Sequence, residues 1–115
     1  MSKSVNIILE DSSGKTVASF IMKRLNVKAA IRRQSMFELI DEENETIRGQ
    51  MFSAASVACS LCDEKGDLIY PEDKYPELTA IDAIFDMDYE VYNAIANAHK
   101  QVNPVTSLSA KKKKS

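Results

Sequence analysis

Cys59-Ser60-Leu61-Cys62 is the place in this 115-residue chain where residue types and spacing most openly suggest reactive chemistry. A CxxC pair serves either thiol exchange or metal binding. Zinc would require two further ligands, and the sequence has no other cysteine and a single histidine, His99. A thioredoxin-like pair would open a helix beneath a βα turn. This pair falls instead at the end of an apolar helical stretch, so buried structural thiols are expected. Asp86, Asp88 and Glu90 alternate like the start of a calcium loop, but Val91 stands where a glycine must make the sharp turn. Asp63 and Asp67 flank Gly66, and a capped turn explains them without a cation. No GxSxG occurs, His99 has no evident nucleophile, and no glycine-rich loop could cradle a phosphate. Neither catalysis nor a cofactor is expected.

Binding is then the alternative, and charge narrows the partner. Ten carboxylates lie between Asp63 and Glu90 against only Lys65 and Lys74, a local charge of -8 inside a chain of net charge -2. Such a face repels nucleic-acid phosphates. Basic residues gather at Lys23, Arg24, Lys28, Arg32 and Arg33, and again at Lys111 to Lys114. A two-signed surface suits protein partners or head-to-tail self-association. With 44% hydrophobic and 28% charged residues the composition is that of one ordinary globular domain. No signal peptide opens the sequence, and no stretch is apolar enough for a membrane span. Two cysteines without a secretion signal point to free thiols in a reducing compartment.

The elements that must position these residues follow from periodicity. Residues 4–22 read as a β-hairpin: Val5 to Leu9, a turn at Asp11-Ser12-Ser13-Gly14, then Thr16 to Met22. A lone hairpin is marginal in water, so helices must cover it. Asn26 caps a helix whose apolar positions are Val27, Ala30, Ile31 and Phe37. Its opposite face carries Lys28, Arg32 and Arg33, either as a solvated face or as a partner-binding patch. Asp41 to Glu45 is a loop, or the polar part of one continuous helix. A second helix over Thr46 to Leu61 aligns Ile47, Met51, Ala54, Ala58 and Leu61 in one stripe, with Phe52 beside it. Its small residues Ala54, Ala55 and Ala58 allow close approach of core or partner. Leu68-Ile69-Tyr70 is extended or a brief strand. A third helix from Pro76 to Ile84 buries Leu78, Ile81 and Ile84, with Phe85 just beyond it. A fourth, capped by Asp88, buries Val91, Ile95, Ala98 and Val102 and stops at Asn103-Pro104. The fold class is therefore α+β and mainly helical, an N-terminal β-hairpin packed on three to four helices. Residues 1–104 form a single domain, and 105–115 a flexible lysine-rich tail.

The run Ala58-Cys59-Ser60-Leu61-Cys62-Asp63-Glu64-Lys65-Gly66-Asp67-Leu68-Ile69-Tyr70-Pro71-Glu72-Asp73 resembles the helix–turn segment of tail assembly chaperones of long-tailed bacteriophages. In that group an alanine-rich helix ends before Asp-Glu-x-Gly, followed by an apolar-aromatic pair and an acidic step. Leu78, the helix carrying Val91 and Ile95, and the Val102-Asn103 stop are similar to the family's closing helix. Met22 to Val27 is compatible with its strand and first-helix entry. The resemblance covers mainly residues 47–104, and Asn103-Pro104 departs from the Asn-Gly continuation often seen. It implies a small protein of the host cytoplasm, not carried into the mature virion. Such a protein binds the tape measure protein, keeps it soluble and helps recruit tail tube subunits. The resemblance further implies homo-oligomers and a frameshift-extended longer form, for which the lysine codons at 111–114 supply an A-rich slippery stretch. Phe37, Met51, Phe52 and Ala55 are the expected apolar partner contacts, with Arg32 and Arg33 for orientation. The competing readings are a structural virion component or head-tail connector protein, and a small DNA-binding regulator.

Overall fold

The computed structural model describes residues 4–103; the lysine run and the rest of 104–115 lie outside the described residues. Strands β1 (Ser4–Glu10) and β2 (Thr16–Lys23) form an antiparallel hairpin with Ser4 opposite Lys23 and Ile7 opposite Phe20. Alternation sends Val5, Ile7 and Leu9 inward and leaves Ile8 exposed, as a half-buried strand requires. Its turn is built by Asp11, whose Oδ1 accepts from the Ser13 and Lys15 backbone N–H groups at 2.9 and 3.1 Å. Gly14 takes φ +86° there.

The hairpin has a third strand that periodicity did not indicate. β3 (Leu61–Cys62) pairs antiparallel with Ile21 and Met22, giving the order β1-β2-β3. Immediately after it, Asp63 repeats the device of Asp11: Oδ1 accepts from Lys65 and Asp67 N–H at 2.9 and 3.1 Å, and Gly66 takes φ +90°. The two turns share the order Asp-x-x-Gly because each needs a carboxylate facing successive amides and a residue free of a Cβ at positive φ. The Asp63–Asp67 segment is thus a turn, as expected, and Cys62 bridges to Leu68 across it.

Among the described residues four helices complete the layer: α1 (Val27–Leu39), α2 (Glu45–Ala58), α3 (Thr79–Phe85) and α4 (Tyr89–Val102). Asn26 caps α1 and Asp88 caps α4, each accepting from first-turn N–H groups. α4 packs across β1 and β2 and so covers the hairpin. α2 lies against α1, α3 and α4 at the centre. Met22, Val57, Leu61, Ile81, Ile84, Ile95 and Val102 are fully enclosed between them.

Of the two readings of Asp41 to Glu45 the loop holds: α1 and α2 are separate helices, because Ile40 turns extended and Asn44 caps α2 by accepting from Ile47 N–H at 3.0 Å. Several other boundaries and faces differ from the sequence reading. α2 ends at Ala58, not Leu61: Leu61 and Cys62 are drawn off to complete the sheet, so the CxxC spans a helix cap and a strand rather than a helix end. α3 begins at Thr79, not Pro76, because Glu77 sits at φ 55° and the Pro76 carbonyl accepts from Thr79. Phe85 is its last residue rather than lying beyond it. The largest correction concerns α1. Val27 and Ile31, expected inside, are 77% and 63% exposed, whereas Arg32, expected on the solvated face, is 8% exposed and Met36 is buried. Contacts to Phe52 and Cys59 hold the Met36–Phe37 side inward and thereby rotate the helix.

Candidate partner-binding surface

Three of the six residues nominated from sequence come together. On α1, the Phe37 ring meets Phe52 of α2 edge to face at 4.7 Å between centroids, and the Arg33 guanidinium carbon lies 5.5 Å from the Phe37 centroid. All three are half-buried. Edge-to-face geometry sets the positive rim of one ring on the negative face of the other, and the guanidinium is drawn to a face in the same way. The result is an apolar, cation-edged patch on the α1–α2 seam. Met51 is half-buried and packs toward the core.

The other two nominations do not join that patch. Ala55 is fully enclosed, as are Ala54 and Ala58, so the small-residue stripe serves internal packing and offers no external contact. Arg32 turns to the opposite flank, where Nη2 donates to the Tyr75 carbonyl at 3.4 Å and Nη1 has no hydrogen-bond partner among the described residues. It lines a cavity of about 500 Å³ with Lys23, Lys28, Glu72 and both cysteines. The cysteines are free and buried; Cys59 Sγ lies 4.0 Å from Met36 Sδ, and Cys62 Sγ donates to the Ser60 carbonyl at 3.6 Å. Burial pushes both thiols up from their ordinary pKa, and nearby Arg32 and Lys23 oppose this only in part. Each is held as a neutral thiol at pH 7, a packing group rather than a poised nucleophile.

A second groove, of about 780 Å³, opens where α1, α2 and α4 meet and is lined by Arg33, Ser53, Tyr92, His99 and Lys100 among others. His99 is half-buried, and its Nε2 is buried without a hydrogen-bond partner among the described residues. Burial, and secondarily the Arg33 charge, hold its pKa below the ordinary imidazole value. No group of three or more His, Cys, Asp or Glu side chains able to hold a metal ion occurs among the described residues. No helix there is long and apolar enough to cross a membrane.

Asn103 is the residue whose role sequence reasoning underestimated. Beyond stopping α4, its Oδ1 accepts from Leu25 N–H at 2.8 Å and its Nδ2 donates to the Lys23 carbonyl at 3.2 Å. One amide thereby latches the end of α4 to the elbow between β2 and α1, which sets where α1 begins. A lone Asn before Pro signals a helix stop but says nothing of a partner some eighty positions away.

Comparison with known proteins gives the fold a counterpart. No protein-family profile matches the chain, and no curated protein matches it. Among solved structures, that of the bacteriophage HK97 tail assembly chaperone superposes with a TM-score of 0.57, covering 89% of this chain and 91% of that one at 11% sequence identity. At that identity the likeness is one of fold: this chain has the fold of the HK97 tail assembly chaperone.

Proposed function

We propose that this chain is a phage tail assembly chaperone that binds the tape measure protein, keeps it soluble before assembly and helps recruit tail tube subunits. The observation that carries the reading is the shared fold over about nine-tenths of both chains. It joins the motif resemblance at residues 58–73 and the exposed apolar side chains on a charged molecule. A tape measure protein is long and helical, and its apolar stripes aggregate unless covered. The patch of Arg33, Phe37 and Phe52, with Met51 behind it, offers two aromatic rings and an aligned cation to such a stripe. In this reading the chain works in the host cytoplasm, self-associates, is left out of the mature virion, and shares its domain with a longer form made by frameshifting at Lys111 to Lys114.

Co-expression provides the test. The chain should keep the tape measure protein from the same genome soluble and co-purify with it. Phe52→Ser should weaken that association. Stoichiometric recovery of the chain from purified virions would instead identify a structural or connector protein. A salt-dependent gel shift with no effect on tape measure solubility would identify a DNA-binding regulator.

A further inference from the structure

On the side of α2 turned away from Phe52, three helices leave an apolar groove of about 420 Å³, lined chiefly by Ile47, Ile84, Phe85, Met87, Tyr89 and Tyr92. Five residues of helix separate Ile47 from Phe52, a rotation of about 140°, so this groove and the α1–α2 patch face different ways. Three of its side chains stand out of the fold: Ile47 is 45% exposed, Phe85 49% and Tyr89 73%. Single exposed apolar residues need no explanation, but three around one concavity do.

The sequence neighbours of the lining residues give the occupant its sign. Asp86, Asp88 and Glu90 adjoin Phe85, Met87 and Tyr89, Asp82 lies one turn before Phe85, and Glu43 and Glu45 precede Thr46 and Ile47; all six are exposed. From Thr79 to Ala98 there is no lysine or arginine. Arg48, the nearest cation on α2, is drawn back by donating to the Glu42 carbonyl at 2.7 Å. Asp88 is anchored at the edge as the α4 cap, its Oδ1 accepting from the Glu90 and Val91 N–H groups at 2.9 and 3.2 Å. The groove is walled mainly by helices and presents no open strand edge, so it offers an extended segment no ladder of backbone partners, and a helix, which satisfies its own backbone, suits it best.

We infer that this groove receives an amphipathic helix whose apolar stripe is flanked by lysine or arginine. The stripe fills the concavity, and the flanking cations meet the carboxylates of the rim, setting orientation and rejecting acidic helices. The inference rests on the chaperone reading only for which protein carries that helix.

The probe is a labelled helical peptide of about 20 residues with leucines at i, i+3, i+4 and i+7 flanked by lysines. Its control has glutamates in place of the lysines. Fluorescence anisotropy on the full chain should show the lysine peptide binding at least about tenfold tighter at low salt, with the gap narrowing as salt rises. Phe85→Ser and Tyr89→Ser, both exposed positions, should each weaken it about tenfold, whereas Ile31→Ser on α1 should not. Asp86→Asn with Glu90→Gln should reduce the preference for lysine. Equal affinity for the two peptides, or no effect of Phe85→Ser, overturns the inference. Wild-type dimers or larger species that Phe85→Ser turns into monomers, with no peptide binding, would give the groove to a second copy and also overturn it. If the peptides behave as expected but the chain fails to keep a tape measure protein soluble, the chaperone reading falls and the groove stands. If Phe85→Ser keeps that protein soluble as well as wild type and the peptides bind indifferently, the groove falls and the reading stands.

Discussion

Replacing Asn103 by alanine should destabilise the domain far more than its position at a helix end suggests. The side chain makes two hydrogen bonds across sequence separations of 78 and 80, to Leu25 N–H at 2.8 Å and the Lys23 carbonyl at 3.2 Å. Each is worth about 0.5–1.5 kcal/mol net, and leaving the part-buried Leu25 N–H unpaired adds to the loss. The sum is about 1.5–3 kcal/mol. The backbone at Asn103 has φ -128°, outside the left-handed region that favours asparagine or glycine, so the change acts chiefly through the lost amide. For a domain of this size that loss lowers the thermal midpoint by roughly 6–20 °C. Urea unfolding followed by circular dichroism, with the slope m checked for constancy, measures it. Asn103→Asp is the informative companion: it keeps the acceptor for Leu25 but sets a carboxylate oxygen against the Lys23 carbonyl, and should cost at least half as much. An Asn103→Ala midpoint equivalent to less than about 0.5 kcal/mol would refute the latch.

Arg32→Met should be neutral or stabilising by about 1–2 kcal/mol in urea, since the buried guanidinium makes one long hydrogen bond and its Nη1 has no partner; a loss above about 2 kcal/mol would mean the charge is compensated. Because the His99 pKa is lowered on folding, the unfolded chain binds the extra proton first. Stability is therefore full above the unfolded value and is lost as pH falls through the folded one, and His99→Gln should flatten the urea midpoint between pH 7.5 and 5. Gly66→Ala should cost about 1–2 kcal/mol, because it forces a side chain to φ +90° with its Cβ 3.2 Å from Lys23 Nζ; an unchanged melting curve would show that the turn relaxes. Cys59 and Cys62 should resist a thiol reagent in the folded state and react together on unfolding, and early reaction of either would show that its pocket opens.

Features governed by neighbours in sequence were legible from it. Asn26 and Asp88 cap their helices because a short polar side chain before an apolar-periodic run has its own first-turn amides within reach. The turns at Gly14 and Gly66 follow from glycine's tolerance of positive φ beside an aspartate. α4 was legible over its whole length, since Ile95, Ala98 and Val102 form one narrow inward stripe with Val91 half-buried above it. Of the six residues nominated as partner contacts, the structure brings Arg33, Phe37 and Phe52 together on the α1–α2 seam, a juxtaposition that their positions on two separate helices did not reveal.

What the tertiary structure decided is what depends on pairing across distance. α1 carries apolar residues on more than one face, so its pattern alone does not choose between Ile31 and Met36; contacts to Phe52 and Cys59 choose, and Arg32 follows Met36 inward on its long apolar stem. β3 is two residues long, too short to carry a period, and exists because the edge of β2 offers Leu61 and Cys62 the hydrogen bonds that a longer α2 would have given them. Ala55 looks the same in sequence whether a partner or the protein's own core covers it, and here it is the core. The acid-rimmed groove shows the same division. The carboxylates and the missing cations were there to read in the chain, but Ile47 and Tyr89 lie 42 positions apart, and only the packing of α2, α3 and α4 sets them around one concavity.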